Sequence, residues 1–482
     1  MLKVHGATAD DLGLFDDQLA CWSGLLEDGE AEARAPVTLL LAEVAARAGL
    51  LADELGNQVV DERLLLAPIL DDNRSPVRTA LERLGLHAQE LNPGPGPRCS
   101  WPPEPPPVGR SWPPAVFALM AWAEGLAAGL GTVAAGEQVV LAALWEPTGV
   151  LSSQLWRQGI PREQVLEALA ALGVSVPKSP LPTQGDAAWD APVYFPAERM
   201  NEVFARMRPM LVPGETPFGA NTVTVEGRRI GWVMGHPSLC LADVVRDVLG
   251  AAPLAPPAGA PSKPHRSPWG RAPRPGGAVL GVAMEEASRR RREACGDELV
   301  LLALAMDETT RAGAALASLG VTAEDVSARV GGDDPTEPTR GVTHAPALYS
   351  MEARAQGLAA ALGSGDPSSE HLGLALAWDP YGASGDVLAG LGVERADLVV
   401  ALARQGASIP AQPPPPAQAF DWGGPIAFPR KGSGFVASLV RAHLDPANPL
   451  RFGYGQDHAW VSTEASINAS DLVMEATRAL PK

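Results

Sequence analysis

The sequence predicts a mainly α-helical chain laid out as a tandem duplication: two double-repeat helical domains, each followed by a small α+β module. Three observations carry that expectation. A glutamate-led helical pattern occurs four times at matching spacings. The segments after the second and fourth copies alternate at strand period. Landmarks of the first half of the 482-residue chain return about 233 positions later.

Each helical repeat turns on a short glutamate motif: Asp61-Glu62-Arg63-Leu64, Gly136-Glu137-Gln138-Val139, Asp297-Glu298-Leu299-Val300 and Ser369-Glu370-His371-Leu372. The residues before the glutamates, Asp61, Gly136, Asp297 and Ser369, are expected as N-caps. A glutamate in the first turn then complements the exposed amides and the positive end of the helix dipole. Mostly apolar residues follow, predicting a short helix buried on several sides. Nine residues after each glutamate stands another acid, Asp71, Glu146, Asp307 or Asp379, expected at the start of the next helix. Twenty-two or twenty-three residues after it come Gly85-Leu86, Gly159-Ile160, Gly320-Val321 and Gly392-Val393. A left-handed glycine followed by an apolar residue folding back on the helix is a Schellman-type close. Pro161 and Thr322 suit the start of a further helix. Each repeat thus reads as a bundle of about four helices, with Pro68 expected to bend the short helix of the first.

The modules read differently. Val193-Tyr194-Phe195 and Asn221-Thr222-Val223-Thr224-Val225 alternate as strands, with helices expected over 203–211 and 241–249. Their second copies are marked by Ile426-Ala427-Phe428-Pro429, by Arg451-Phe452-Gly453 and by Trp460-Val461-Ser462-Thr463. The helical part also recurs: Gly125-Leu126-Ala127-Ala128 returns as Gly357-Leu358-Ala359-Ala360. Stretches rich in Pro, Ala and Gly at 92–114, 251–277 and 410–419 read as connectors, the second of them as an extended hinge between the halves. The expected organisation is an N-terminal segment (1–35), helical domain A (36–178), module A (179–250), a Pro-rich linker (251–277), helical domain B (278–410) and module B (411–482).

The four glutamate motifs resemble the N-terminal (Clp repeat) domain of Clp unfoldases, whose pattern is Gly-Thr-Glu-His, an apolar run, an acid at plus nine and Leu-Gly-Val at plus twenty-two. Ser369-Glu370-His371-Leu372 with Leu391-Gly392-Val393 is the copy most similar to it. The resemblance implies two Clp-N-like all-helical domains in a chain that lacks the GxxxxGK[ST] phosphate loop of the Clp ATPase, so the family's motor activity does not carry over. It further implies a guanidinium or phosphoarginine site at Glu370, Ser369, Glu62, Glu137 and Glu298, where a carboxylate forks with the guanidinium and helix-start amides take the phosphate. The family's threonine is kept as a hydroxyl only at Ser369; Asp61 and Asp297 would repel a phosphate, and Gly136 has no hydroxyl. A first-turn dipole partner is therefore the preferred reading for Glu62, Glu137 and Glu298, and both readings stand for Glu370.

Composition narrows the function classes. With 38 Lys+Arg against 56 Asp+Glu the formal charge is −18, which speaks against binding nucleic acid or an anionic membrane surface. No apolar run predicts a signal peptide or a membrane span, and Cys21, Cys99, Cys240 and Cys295 lie too far apart for a zinc knuckle, so a cytoplasmic chain with reduced thiols and no metal or cofactor is expected. Gly432-Ser433-Gly434 reads as a turn, His236 and His458 lack a paired acid, and Arg289-Arg290-Arg291-Arg292 reads as a solvated helix face. The expected function is a non-enzymatic protein- or peptide-binding protein. By the resemblance it acts as adaptor, regulator or decoy for Clp-dependent proteolysis, with Clp ATPase or protease components or arginine-phosphorylated substrates as partners. The alternatives are an enzyme with its active site in the α+β modules and an interaction protein acting through its acidic surface.

Overall fold

In each of the four repeats a helix ends on a glycine in the left-handed region, and each time the next amide reaches back to close the same ring. The computed structural model describes residues 39–482 apart from 56, 58–59, 88–111, 113, 147–149, 180, 182–192, 208–217, 226–227, 236–240, 255–274, 331–341, 365–366, 413, 415–420, 447, 456 and 481–482. The expected N-terminal segment, most of the three connectors, Cys21, Cys99, Cys240 and His236 lie outside the described residues. Over what is described, the chain is mainly helical with small sheets.

In the first half, α1 (Leu41–Glu54), α2 (Glu62–Asp71) and α3 (Pro76–Arg83) are followed by α4 (Pro114–Leu130), α5 (Gly136–Trp145), α6 (Val150–Arg157) and α7 (Arg162–Ala171). A sheet module then follows: β1 (Val193–Pro196), α8 (Met200–Met207), β2 (Phe218–Val225), β3 (Arg228–Gly235) and α9 (Leu241–Leu249). The second half opens with α10 (Pro275–Arg289), β4 (Ala294–Cys295), α11 (Asp297–Ala305), α12 (Arg311–Ser318) and α13 (Ala323–Val330). It continues with β5 (Thr343–His344), α14 (Pro346–Leu362), α15 (Ser369–Trp378), α16 (Ala383–Gly390) and α17 (Arg395–Arg404). It ends on β6 (Ile426–Pro429), α18 (Ser433–His443), β7 (Leu450–Tyr454), β8 (His458–Thr463) and α19 (Ala469–Arg478).

The helix ends follow from their sequences. Gly85, Gly159, Gly320 and Gly392 have φ of +83°, +70°, +75° and +77°, a region costly for any residue with a Cβ. Behind them the amides of Leu86, Ile160, Val321 and Val393 donate to the carbonyls of Leu81, Leu155, Leu316 and Leu388 at 2.9–3.0 Å, the 6→1 bond of a Schellman motif. The short helices α5 and α11 are buried over their whole length, as expected of helices apolar all round. Helix α2 runs through Pro68, which leaves the Leu64 carbonyl without its usual amide partner.

Two expectations need correction. Asp61 is the N-cap of α2, but α5, α11 and α15 start one residue earlier than predicted, with Ala135, Gly296 and Ser368 as caps. In α5 and α15 the side chain three residues on takes over the capping: Ala135 donates its amide to Gln138 Oε1 (3.1 Å) and Ser368 to His371 Nδ1 (3.1 Å). The acids at plus nine do not start the next helix either. Asp71 ends α2, Glu146 and Asp379 cap the C-termini of α5 and α15, and Asp307 follows the cap of α11. A carboxylate at that end opposes the dipole. Turn amides compensate: Thr309 and Tyr381 donate theirs to Asp307 Oδ1 (3.1 Å) and Asp379 Oδ1 (3.0 Å).

The two halves are joined at α4 and α14. Their sequences align residue by residue at an offset of 232, and corresponding stretches of the two helices face one another. A methyl group at Gly125 would run into the Arg354 carbonyl, one at Gly357 into the Trp122 carbonyl, and one at Gly129 into the Ala361 side chain. Contacts at offsets of 229, 232 and 235, centred on that value, place the helices side by side, pointing the same way. The small residues let the backbones touch, and the cores interpenetrate: Ala353, Ala360 and Ala361 of α14 belong to the first half's core, and Ala128 of α4 to the second's.

The sheet modules share one topology. Strand order is β1-β3-β2 in the first and β6-β8-β7 in the second, antiparallel throughout. Each has its own small core, around Phe195, Val203, Val233 and Val245, and around Phe428, Val436, Val440 and Val461. A two-residue parallel ladder joins β4 to β5. No helix of the described residues is long and apolar enough to cross a membrane.

Candidate functional site

The five residues singled out by the repeat pattern do not converge on one site; each glutamate has a different environment. Glu62, at the start of α2, accepts from the Val150 and Leu151 amides at 2.8 and 3.1 Å. It therefore caps α6, in the next repeat, rather than its own helix. Burial pushes its carboxyl above the ordinary range, and the two amides only partly offset this. Glu137 is buried in the first turn of α5. Glu298 forms a buried ion pair with Arg292, whose guanidinium also donates to the Val330 carbonyl.

The neighbour of Glu298 does for the second half what Glu62 does for the first. Asp297 is fully buried and its Oδ2 accepts from the Ser384 amide at the start of α16 (2.9 Å). Burial, followed by the nearby charges of Glu298 and Asp379, pushes its carboxyl up to about 7. In both helical domains, then, an acid from the first repeat's short helix sits on the N-terminus of a helix in the second. The unsatisfied amides there make a ready anion site, and the chain fills it with its own carboxylate.

Glu370 receives an exposed guanidinium. Its Oε1 accepts from Arg311 Nη1 at 2.8 Å, with the arginine side chain 53% exposed and the glutamate 14%. Burial acts to raise its carboxyl, but hydrogen bonds, first that from the Ser368 hydroxyl, and the charges of His371 and Arg311 leave it below the ordinary range. Ser369 is the first residue of α15 and is buried, so the capping hydroxyl beside Glu370 belongs to Ser368.

The arginine run is not a solvated face. Helix α10 ends at Arg289, Arg291 takes a left-handed φ of 54°, and Arg290 and Arg292 turn inward and are buried. Arg290 pairs with Glu286 and Ser327, and Arg292 with Glu298. The next residue, Glu293, accepts from the Gly432 and Ser433 amides at the start of α18, so the Gly432-Ser433-Gly434 turn is a helix start occupied by an internal carboxylate. Tyr454 of β7 lies against the Arg292 and Arg430 guanidiniums and accepts from the Ala294 amide at 2.7 Å. This polar knot fastens the second sheet module to its helical domain.

A separate cleft of about 120 Å³ opens where α4, α14, the Asp379–Tyr381 turn and α18 meet. The buried Arg354 donates to Glu124 Oε2 through Nη2 (2.8 Å), while its Nη1 stands 3.5 Å from Asp379 Oδ2 and makes no hydrogen bond. Arg441, whose guanidinium is pushed down to about 10 by burial, lies 3.8 Å from the centre of the Phe117 ring. Two of these charges, Arg354 and Glu124, break the duplication. At the offset that superposes α4 on α14, Arg354 corresponds to Trp122 and Glu124 to Gln356. Reading the repeats singly misses this cluster; comparing the copies position by position exposes it. Among the described residues no group of acids, histidines and cysteines has the arrangement of a metal site.

No protein-family model matches this chain, and no curated protein sequence matches it.

Proposed function

We propose that the chain is a non-enzymatic peptide- or protein-binding protein with two Clp-N-like double-repeat domains, and that Glu370 is its guanidinium-receiving position. The observation that carries this reading is the exposed Glu370–Arg311 pair. Glu62 and Glu298 are engaged inside the fold and Glu137 is buried, whereas Glu370, of the four motif glutamates, meets a guanidinium that is half in contact with solvent. An exposed pair of this kind contributes about 0–1 kcal/mol, so an arginine or phosphoarginine side chain from a partner exchanges with Arg311 at little cost. The role as adaptor, regulator or decoy in Clp-dependent proteolysis rests on the resemblance of the repeat motifs.

The test is a titration of phosphoarginine, and of a phosphoarginine-bearing peptide, into the full chain and into Glu370→Ala and Arg311→Ala. The expected result is binding by the full chain, loss in Glu370→Ala and a gain in Arg311→Ala, where the internal competitor is gone. No binding to either the full chain or Arg311→Ala overturns the reading. Co-purification that never brings down a Clp subunit counts against the adaptor role.

A further inference from the structure

The cleft between the halves holds four charges that cancel: Glu124 and Asp379 against Arg354 and Arg441. Their positions are unequal. Asp379 is 7% exposed and tied to the Tyr381 amide, whereas the Glu124 side chain is 45% exposed and holds Arg354 by one contact. The second nitrogen of that guanidinium is buried without a hydrogen bond. A guanidinium hydrogen-bonded at one nitrogen, with the other only 3.5 Å from the Asp379 carboxylate, falls short of its strongest partner geometry, a carboxylate forked across both. When Glu124 turns out to water, one positive charge is left unbalanced in a cleft whose walls are apolar at Phe117, Met120, Pro380 and Leu450.

We propose that this cleft binds a carboxylate carried on a small apolar body, and that Glu124 is the internal placeholder which that carboxylate displaces from Arg354. The entering group forks across Nη1 and Nη2 and restores neutrality, and its apolar body lies against Phe117 and Met120. The one-sidedness of the Arg354–Glu124 pair supports a site over mere glue. Trp122 and Gln356 hold the corresponding positions of the other copy, so α4 and α14 do not need an ion pair at that level to pack. Two sources share this chemistry, a free short-chain carboxylic acid and the terminal carboxylate of a peptide. The site is independent of Glu370, and its test leaves that reading untouched.

The experiment is calorimetric titration of the full chain, Glu124→Gln and Arg354→Lys with three probes: propionate, a tetrapeptide ending in leucine as the free acid, and its C-terminal amide. Melting curves establish that each variant is folded. Glu124→Gln removes the competing charge and is expected to bind the carboxylate about tenfold tighter, about 1.4 kcal/mol. Arg354→Lys keeps the charge but loses the fork, and is expected to bind about tenfold more weakly. Binding of propionate but not of the peptide acid assigns a small carboxylate, and binding of the peptide acid but not of its amide assigns a chain terminus. No binding of either carboxylate to Glu124→Gln overturns the proposal. So does binding that neither variant changes, or equal binding of the amide.

Discussion

Asp297 and Ser384 lie 87 positions apart, yet the carboxylate of one accepts the amide proton of the other at 2.9 Å. The bond ties the short helix of one repeat to the start of a helix in the next, and it does so with an acid that has lost its water. Because burial raises its carboxyl from 3.8 to about 7, the folded state holds the proton more tightly than the unfolded one. The contribution of Asp297 to stability is then fully present below about 3.8, falls as pH rises towards 7, and is lost above. Asp297→Asn keeps an acceptor for Ser384 without the charge. Its unfolding free energy is expected to vary less between pH 4 and 7 than that of the parent chain, and to exceed the parent's at pH 8. The rise from 3.8 to about 7 corresponds to about 4 kcal/mol at most, and burial of the amide's donors reduces the gain. Urea melts at several pH values measure this; a parallel pair of curves would count against the account.

Glu62 plays the matching part in the first domain, with two amides in place of one. Glu62→Ala leaves both uncapped and is expected to cost about 2 kcal/mol. Glu62→Gln retains an acceptor and is expected to keep most of the stability. Thermal melts of the two variants should separate clearly, the glutamine variant lying closer to the parent.

Arg292 and Glu298 form a buried pair, and removing one partner strands the other. Arg292→Met alone is expected to destabilise by about 3–5 kcal/mol, whereas Arg292→Met with Glu298→Leu recovers most of that loss. A double-mutant cycle by chemical denaturation gives the coupling; additive losses would contradict the pairing.

Glycines divide into two kinds with different costs. At Gly392 a methyl group meets open space, so Gly392→Ala costs only the left-handed backbone, about 1 kcal/mol. At Gly125 and Gly357 it meets the backbone of the facing helix, so Gly125→Leu should cost at least about 3 kcal/mol by forcing α4 from α14. Differential scanning calorimetry distinguishes the two, with the second variant also losing cooperativity between the halves.

Much of this fold was legible because its punctuation is local. Gly85, Gly159, Gly320 and Gly392 close helices through bonds spanning five residues, and such spacing is visible in one dimension. The helix starts were read one residue late at Gly136, Asp297 and Ser369. In the first and last of these the cap amide, that of Ala135 or Ser368, is satisfied by Gln138 or His371, side chains that also suit a helix interior. What Glu62 and Asp297 bind was not legible, since their partners are backbone amides of another repeat and amides carry no sequence signal. The arginine run misled for a related reason. Its acids Glu285, Glu286 and Glu293 sit at helical pairing distances, but the helix ends at Arg289, and Arg290 and Arg292, on either side of the left-handed Arg291, turn inward.

The close passage of α4 against α14 changes the meaning of the segment that joins the halves. A Pro-rich stretch between two domains suggests a hinge; that stretch lies largely outside the described residues, and the helical parts of the two halves share core residues across a glycine contact. The connection sets how often the halves meet, not how they sit. The molecule is in effect a heterodimer written on a single chain. Cut between residues 254 and 275 and expressed as two fragments, it should reassemble, losing only the high effective concentration that the tether provides.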